Sequence, residues 1–402
     1  MVQGQGFPVD EQGVVDFTRD LVRIRSVHEA GHERAEEAVA ALVAARMRDF
    51  GWEPEVVEVA PGRPNVVAVV EGGGGDGPTL AFEGHTDVVT EGDLDTWTVD
   101  PYGAQIRDGR LYGRGSADMK SGVAAMLYGV RALQQAGPFP GRIKLCVLAD
   151  EEGLMLGAKH FAASPAARDV DAAIICEPEE GEICVAAKGA IRLRVDFAGK
   201  MAHGAMPQHG RNPVAPAGSL LMALAEREHQ WQSELGAHEH LGLPYVTPTV
   251  LEAGSPDQIN VIPARASVCV DIRTVPALDH AQVITEVAKL AEAAGAPYGV
   301  TAEVSVVDDR PAVEIDAADP VVTALAQAHE AVTGEPARYG GVPGATDGTI
   351  LTRDAGIPTV VYGPGGKWIA HQADEFVEVD DIIRCAHVYA EAAHRFQHGA
   401  AQ

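Results

Sequence analysis

Residues 78–89 read PTLAFEGHTDVV, an apolar run that leads at once into a histidine and an aspartate two positions apart. The run has the apolar character of a buried strand, and the preceding GGGGDG (72–77) reads as a hairpin loop. A chain that leaves a buried strand into His85 and Asp87 has either made a solvated turn or begun a site. His-x-Asp alone is a common pattern, so the other strands must decide.

On either side of this stretch, NVVAVVEG (65–72), RIKLCVLAD (142–150), DAAIICEP (171–178) and IPTVVYGPG (357–365) are further apolar strands. Helical patterns separate them. In SADMKSGVAAMLYGVRALQQAG (116–137), Val123, Leu127, Val130 and Leu133 share one face, and Gly137 with Pro138 ends it. Residues 11–50 are expected to be helical on the spacing of Val14, Phe17, Leu21, Ala38, Leu42 and Ala45. Further helices are expected around 158–163, over 319–333 and from about 380. The alternation predicts an α/β fold: a mixed, mainly parallel sheet with helices on both faces.

Near residue 185 the texture changes. IRLRVDFAG (191–199) alternates strictly, which marks a sheet with one wet face. The order β-α-β-β-α-β that follows predicts an inserted α+β lid domain of split-βαβ, ferredoxin-like form. The expected organisation is a catalytic domain in two parts, 1–186 and 309–402, with the lid over 187–308.

A chain of 402 residues exceeds one ordinary core, in keeping with two domains. Its formal charge of −27 argues against nucleic acid or an anionic membrane as partner. The five cysteines (146, 176, 184, 269, 385) lack metal-type spacing and several sit in apolar runs, so free buried thiols and a reducing cytoplasm are expected. The N-terminal stretch has no basic start and apolar core, so no secretory signal is expected. No run approaches the ~18 apolar residues of a membrane span.

The strand ends carry the chemistry. The strand at 78–82 runs into His85 and Asp87, that at 142–149 into Glu151 and Glu152, that at 172–176 into Glu177, and that at 357–365 towards His371. Asp118 stands at the start of the helix after residue 120, where an N-cap role would also suit it. In open α/β sheets the carboxyl ends of the strands meet at one crevice. Five carboxylates gathered there (Asp87, Asp118, Glu151, Glu152, Glu177) repel one another unless cations are present, and two divalent ions fit that charge better than one.

GHTDVV, GRGSADMKSG, ADEEG, ICEP and the late GPGG…AH resemble, in this order, the motifs of a zinc-dependent exopeptidase and deacylase family. That family includes succinyl-diaminopimelate desuccinylase, acetylornithine deacetylase, carboxypeptidase G and the aminoacylases. The resemblance spans about residues 15–395. It implies two zinc ions per chain, with cobalt as a possible substitute. Asp118 would bridge them, with His85 and Glu177 on one ion and Glu152 and His371 on the other. Asp87 would orient His85 through its second ring nitrogen, Glu151 would act as general base on a water shared by the ions, and the Asp118–Met119 peptide would be cis.

The same resemblance implies that His203, in GKMAHGAMP, donates to the oxyanion, reaching across a homodimer formed through the lid. Arg273, in VCVDIRTV, would bind a substrate carboxylate, although a salt bridge to Asp271 or to a helix carboxylate is the plainer reading of that arginine. Asn260 matches another lid position of the family. GGVPGATDGTIL (340–351), with Gly344, offers glycine backbone for a carboxylate to approach, and its TDGT is similar to the TSDG of desuccinylases. The expected substrate is a small N-acyl amino acid; a dipeptidase or metallocarboxypeptidase is the alternative.

Overall fold

The computed structural model describes residues 6–27 and 36–399, which fall into two compact units. The first comprises residues up to 185, 315–341 and from 346 on; the second comprises 186–314 and 342–345. Gly344 therefore belongs to the second unit, although it lies beyond the 187–308 segment assigned to the lid.

The first unit is built on a sheet ordered Glu55–Ala60, Arg63–Glu71, Arg142–Leu148, Thr79–His85, Ala172–Ile175, Thr359–Val361 and Glu182–Ala187. The four strands from Arg142–Leu148 to Thr359–Val361 are parallel, and antiparallel strands flank them on both sides. The parallel character thus holds for the middle, where both faces are covered and nearly every side chain is buried, Glu83, His85 and Lys144 included. Phe82 packs towards Tyr389 of the helix Val379–His398, and Gly84 faces Met119 and Val123. Full burial of a side chain such as Phe82 stabilises by roughly 1.5–3 kcal/mol. Because side chains alternate along a strand, Ala81, Glu83 and His85 face the opposite side.

Three expectations need correction. Residues 11–50 are not one helix: Glu11–Val22 and Glu37–Asp49 are separate helices, residues 23–27 are not helical, and 28–35 lie outside the described residues, as do 1–5. GGGGDG is not a hairpin loop, because the strands before and after it are separated in the sheet by Arg142–Leu148. It passes over the start of that strand so tightly that a Cβ on Gly74 would stand 2.7 Å from the Phe139 carbonyl carbon. Asp118 is not an N-cap either. It lies in an irregular turn, Ser116–Lys120, with φ −113° and ψ 97°, and the α-helix proper begins at Ser121.

The second unit is a four-stranded antiparallel sheet ordered Tyr245–Ala253, Arg265–Thr274, Gly189–Ala198 and Thr301–Arg310. The helices Val214–Leu235 and His280–Gly295 pack on it, burying Ile191, Leu193, Val195 and Phe197 with Leu220, Leu224, Val283 and Val287. The other face carries Arg192, Arg194, Asp196 and Asp271, which is the wet face that the alternation predicts. All five cysteines are free thiols, four of them buried. Among the described residues no helix is long and apolar enough to cross a membrane.

Candidate metal centre

The parallel register brings the strand ends level. His85 pairs with Leu148 of one neighbour, and Glu83 pairs with Ile175 of the other. Glu151, Glu152 and Glu177 therefore leave their strands beside His85. Gly122 lets the segment carrying Asp118 press onto the same edge, because a Cβ there would stand 2.0 Å from the Cys176 carbonyl oxygen.

Two trios of side chains result, each with ligand atoms within 4.8 Å of one another: His85, Asp118 and Glu177, and Asp118, Glu152 and His371. Asp118 belongs to both. Its Oδ1 is 3.3 Å from His85 Nε2, and its Oδ2 is 3.2 Å from His371 Nε2. Glu177 Oε1 stands 3.3 Å from His85 Nε2 and Glu152 Oε1 2.9 Å from His371 Nε2. Glu151 is buried beside them, its Oε2 4.0 Å from His85 Nε2. The peptide between Asp118 and Met119 is cis.

Asp87 acts on this centre in two ways. Its backbone carbonyl accepts the proton of His85 Nδ1 at 2.9 Å, while its carboxylate lies further off at 3.4 Å. The carboxylate oxygens accept the backbone N–H groups of Glu151 and Glu152 at 3.2 and 3.0 Å. Asp87 thus stands at the second ring nitrogen of His85, as expected for a residue that orients it, with the carbonyl making the shorter contact. The carboxylate pins the Glu151–Glu152 turn. That turn is also gripped from behind: Arg63 reaches both Glu36 (2.7 Å) and Asp150 (2.8 Å), and Asp150 has a left-handed backbone with φ +69°.

With Nδ1 donating, a neutral His85 would turn a lone pair at Nε2 towards carboxylate oxygens, and this buried Nε2 has no hydrogen-bond partner. Electron-rich atoms facing one another in a buried space are what a cation would reconcile. The donor set, imidazole and carboxylate, suits zinc or a neighbouring divalent metal. The protein groups by themselves respond by taking up protons. Burial, followed by the charge of Asp118, pushes Glu177 up to about 8. Burial holds Glu151 well above the usual carboxylate range, and burial with Asp118 raises Glu152. Burial opposes charge on His85, but Glu177 together with Asp118 and Asp87 holds it well above its ordinary value. Hydrogen bonds to Asp118 and Glu152 lift His371 to about 11. Burial opposes ionisation of Asp118, yet both imidazoles hold it far below the usual range.

The other candidate residues lie in the second unit. His203 is exposed in a two-residue strand paired with Val261–Ile262, and the Gly204 N–H donates to the Asn260 carbonyl at 2.7 Å, so His203 and Asn260 share one ribbon. Arg273 donates to Asp271 at 2.6 Å, the plainer of its two readings. Gly344 has open space where a Cβ would be.

Two further buried residues are given no role by the sequence, although Arg114 stands within GRGSADMKSG. Arg114 and Glu375 form an ion pair between the segments that carry Asp118 and His371. Their one sequence signal is position: Arg114 lies four residues before Asp118, and Glu375 four after His371.

Residues 81–395 match the model of peptidase family M20/M25/M40, which is well over half of the chain. A probable succinyl-diaminopimelate desuccinylase of Staphylococcus epidermidis is 28% identical over 407 aligned positions, covering 95% of this chain and 97% of that protein. Among solved structures, the aminopeptidase PepT of Bacillus cereus superposes with a TM-score of 0.77 at 22% identity, over 96% of this chain and 99% of that one. The YXEP protein of Bacillus subtilis, described as a dinuclear metal-binding peptidase, gives a TM-score of 0.73 at 19% identity over 96% of this chain and 98% of that one. With the strand-end motifs, the mixed sheet and the full-length likeness all in agreement, the chain belongs to peptidase family M20/M25/M40 and is a hydrolase of amide bonds.

Proposed function

We propose that the protein is a dinuclear zinc hydrolase that cleaves the amide bond of N-acyl amino acids, in the manner of a desuccinylase or deacetylase. The observation that carries this reading is the pair of trios sharing Asp118, each holding one imidazole and two carboxylates. The full-length relative named as a desuccinylase and the solved dinuclear peptidase support it. His85, Asp118 and Glu177 would hold one ion; Asp118, Glu152 and His371 the other. When bound, such ions lower the pKa of water and polarise the scissile carbonyl.

The chain's own residues do the rest. Glu151, pinned through its backbone by Asp87, takes the proton of the attacking water and returns it to the leaving amine. His203 is the proposed donor to the oxyanion, supplied across a homodimer. The exposed edge strand Tyr245–Ala253, with Val250 and Leu251 on its surface, supports a pairing role for the second unit. Arg273, Asn260 and Gly344 are the proposed contacts to the substrate. For Arg273 this requires that a substrate carboxylate compete with Asp271.

A dipeptidase or metallocarboxypeptidase is the second reading, favoured by membership of a peptidase family. The deciding experiment is a panel of N-succinyl, N-acetyl and N-formyl amino acids and dipeptides offered to zinc-loaded protein. Hydrolysis confined to the dipeptides would replace the first reading by the second.

A further inference from the structure

Arg114 and Glu375 are among the most deeply buried charged residues of the chain, at 2% and 0% exposure, and nothing in the proposed chemistry uses them. Glu375 Oε1 accepts two consecutive backbone N–H groups, from Ala117 at 2.9 Å and Asp118 at 3.1 Å. Its Oε2 takes the Arg114 guanidinium. A second nitrogen of that guanidinium donates to the His371 carbonyl at 3.4 Å, and the Gly113 N–H donates to the Glu375 carbonyl at 2.9 Å. The segments 113–118 and 371–375 are thus tied together at each end and in the middle.

These ties fall where the local backbone cannot support itself. Asp118 lies outside the helical region of φ/ψ, so a carboxylate takes its N–H in place of a helical carbonyl. His371 has a left-handed backbone with φ +66°, a conformation that surrounding contacts must hold for a residue with a side chain. Stability alone does not account for the pair. A buried ion pair often gains little over an apolar packing of similar volume, and here Arg114 Nε is buried with no hydrogen-bond partner. What the pair does achieve is a set distance between Asp118, which serves both trios, and His371, which completes the more open one.

We infer that Glu375 and Arg114 are positioning residues of the metal centre, holding Asp118 and His371 in register so that the second trio can close on a cation. The inference rests on the proposed two-ion reading, and the test separates the two. Full-length wild type, Glu375→Gln and Arg114→Lys are loaded with zinc, titrated with a competing chelator, and compared for ions per chain, melting temperature, kcat and KM. Gln keeps the size of Glu375 but cannot serve both the guanidinium and the N–H groups; Lys keeps the charge of Arg114 but loses its fork.

Outer partners of metal ligands typically contribute about 10–100-fold in metal affinity or activity. For Glu375→Gln one ion is expected to bind about 10–100-fold more weakly while the other is retained, with kcat falling and KM little changed. Arg114→Lys is expected to fall between it and wild type, and it carries the test if Glu375→Gln does not fold. Wild-type affinity for both ions and wild-type kcat, with only a lower melting temperature, would make the pair purely structural and overturn the inference. A wild type that binds no ion pair would overturn the two-ion reading itself, and the inference with it.

Discussion

The two trios that share Asp118 use the same chemistry in different surroundings. In the first, the side chains of His85 and Glu177 are 1% and 9% exposed, and His85 is the last residue of a central strand. In the second, Glu152 is as deeply covered at 9%, but the His371 side chain is 51% exposed and stands on a loop. The ligand sets are matched, so the difference lies in burial and in how the backbone is held. The first trio is part of the sheet and faces a large desolvation cost when empty of cations. The second depends on a histidine that the sheet does not hold. One half of the centre is therefore expected to be architectural and the other exchangeable.

The severest test of this contrast is to remove the histidine from each half. His85→Ala should abolish turnover and lower the melting temperature, because three neighbouring buried carboxylates lose their imidazole and their cation together. His371→Ala should abolish or nearly abolish turnover, yet retain one ion per chain and a near wild-type melting temperature. Metal analysis with thermal unfolding checks both, and equal destabilisation by the two variants would erase the distinction.

Glu151→Ala comes next. It removes the proposed base while leaving all five ligand residues, so kcat should fall by about 10²–10⁴-fold with two ions retained. Loss of metal would make Glu151 a ligand and redraw the first trio. His203→Ala should lower kcat by roughly 10²–10³-fold, the usual scale for an oxyanion donor, with no change in metal content. An unchanged rate would leave His203 as a surface residue of the second unit.

The gentlest test varies pH. In the absence of a cation His371 is lifted to about 11, so at any lower pH it carries a proton that an incoming cation must displace. Affinity for the second ion should therefore fall as pH falls, by about tenfold per unit for each proton displaced. A chelator titration repeated between about pH 6 and 8 measures this, and a slope of zero would place the second ion away from His371.

Much of the centre is legible in the order of the amino acids. Apolar strands announce themselves by composition, and polar residues directly after them fall at one sheet edge, so position alone picks out His85, Glu151, Glu152 and Glu177. Asp118 is legible too, but its local geometry is not: it sits in an irregular turn ahead of the helix, held by a carboxylate 257 positions away. For Asp87 the sequence indicates the neighbour but not the atom, because the choice between carbonyl and carboxylate depends on where residues 151 and 152 place their N–H groups. GGGGDG misleads because a glycine run reports that the chain turns, not which strands lie on either side of the turn. Arg114 and Glu375 escape notice because each is an ordinary charged residue in a loop until the other is placed beside it.

The amino-acid order alone settled most of the strands and helices, that a second kind of sheet is inserted into the first, and which side chains gather at the strand ends. Those are consequences of local periodicity and of where polar groups follow apolar ones. The three-dimensional fold alone decided which strands are neighbours, that one half of the centre is buried and the other open, and that a distant ion pair ties Asp118 to His371. Burial and long-range pairing are properties of packing, and no window of sequence contains both members of a contact that the chain closes over hundreds of residues.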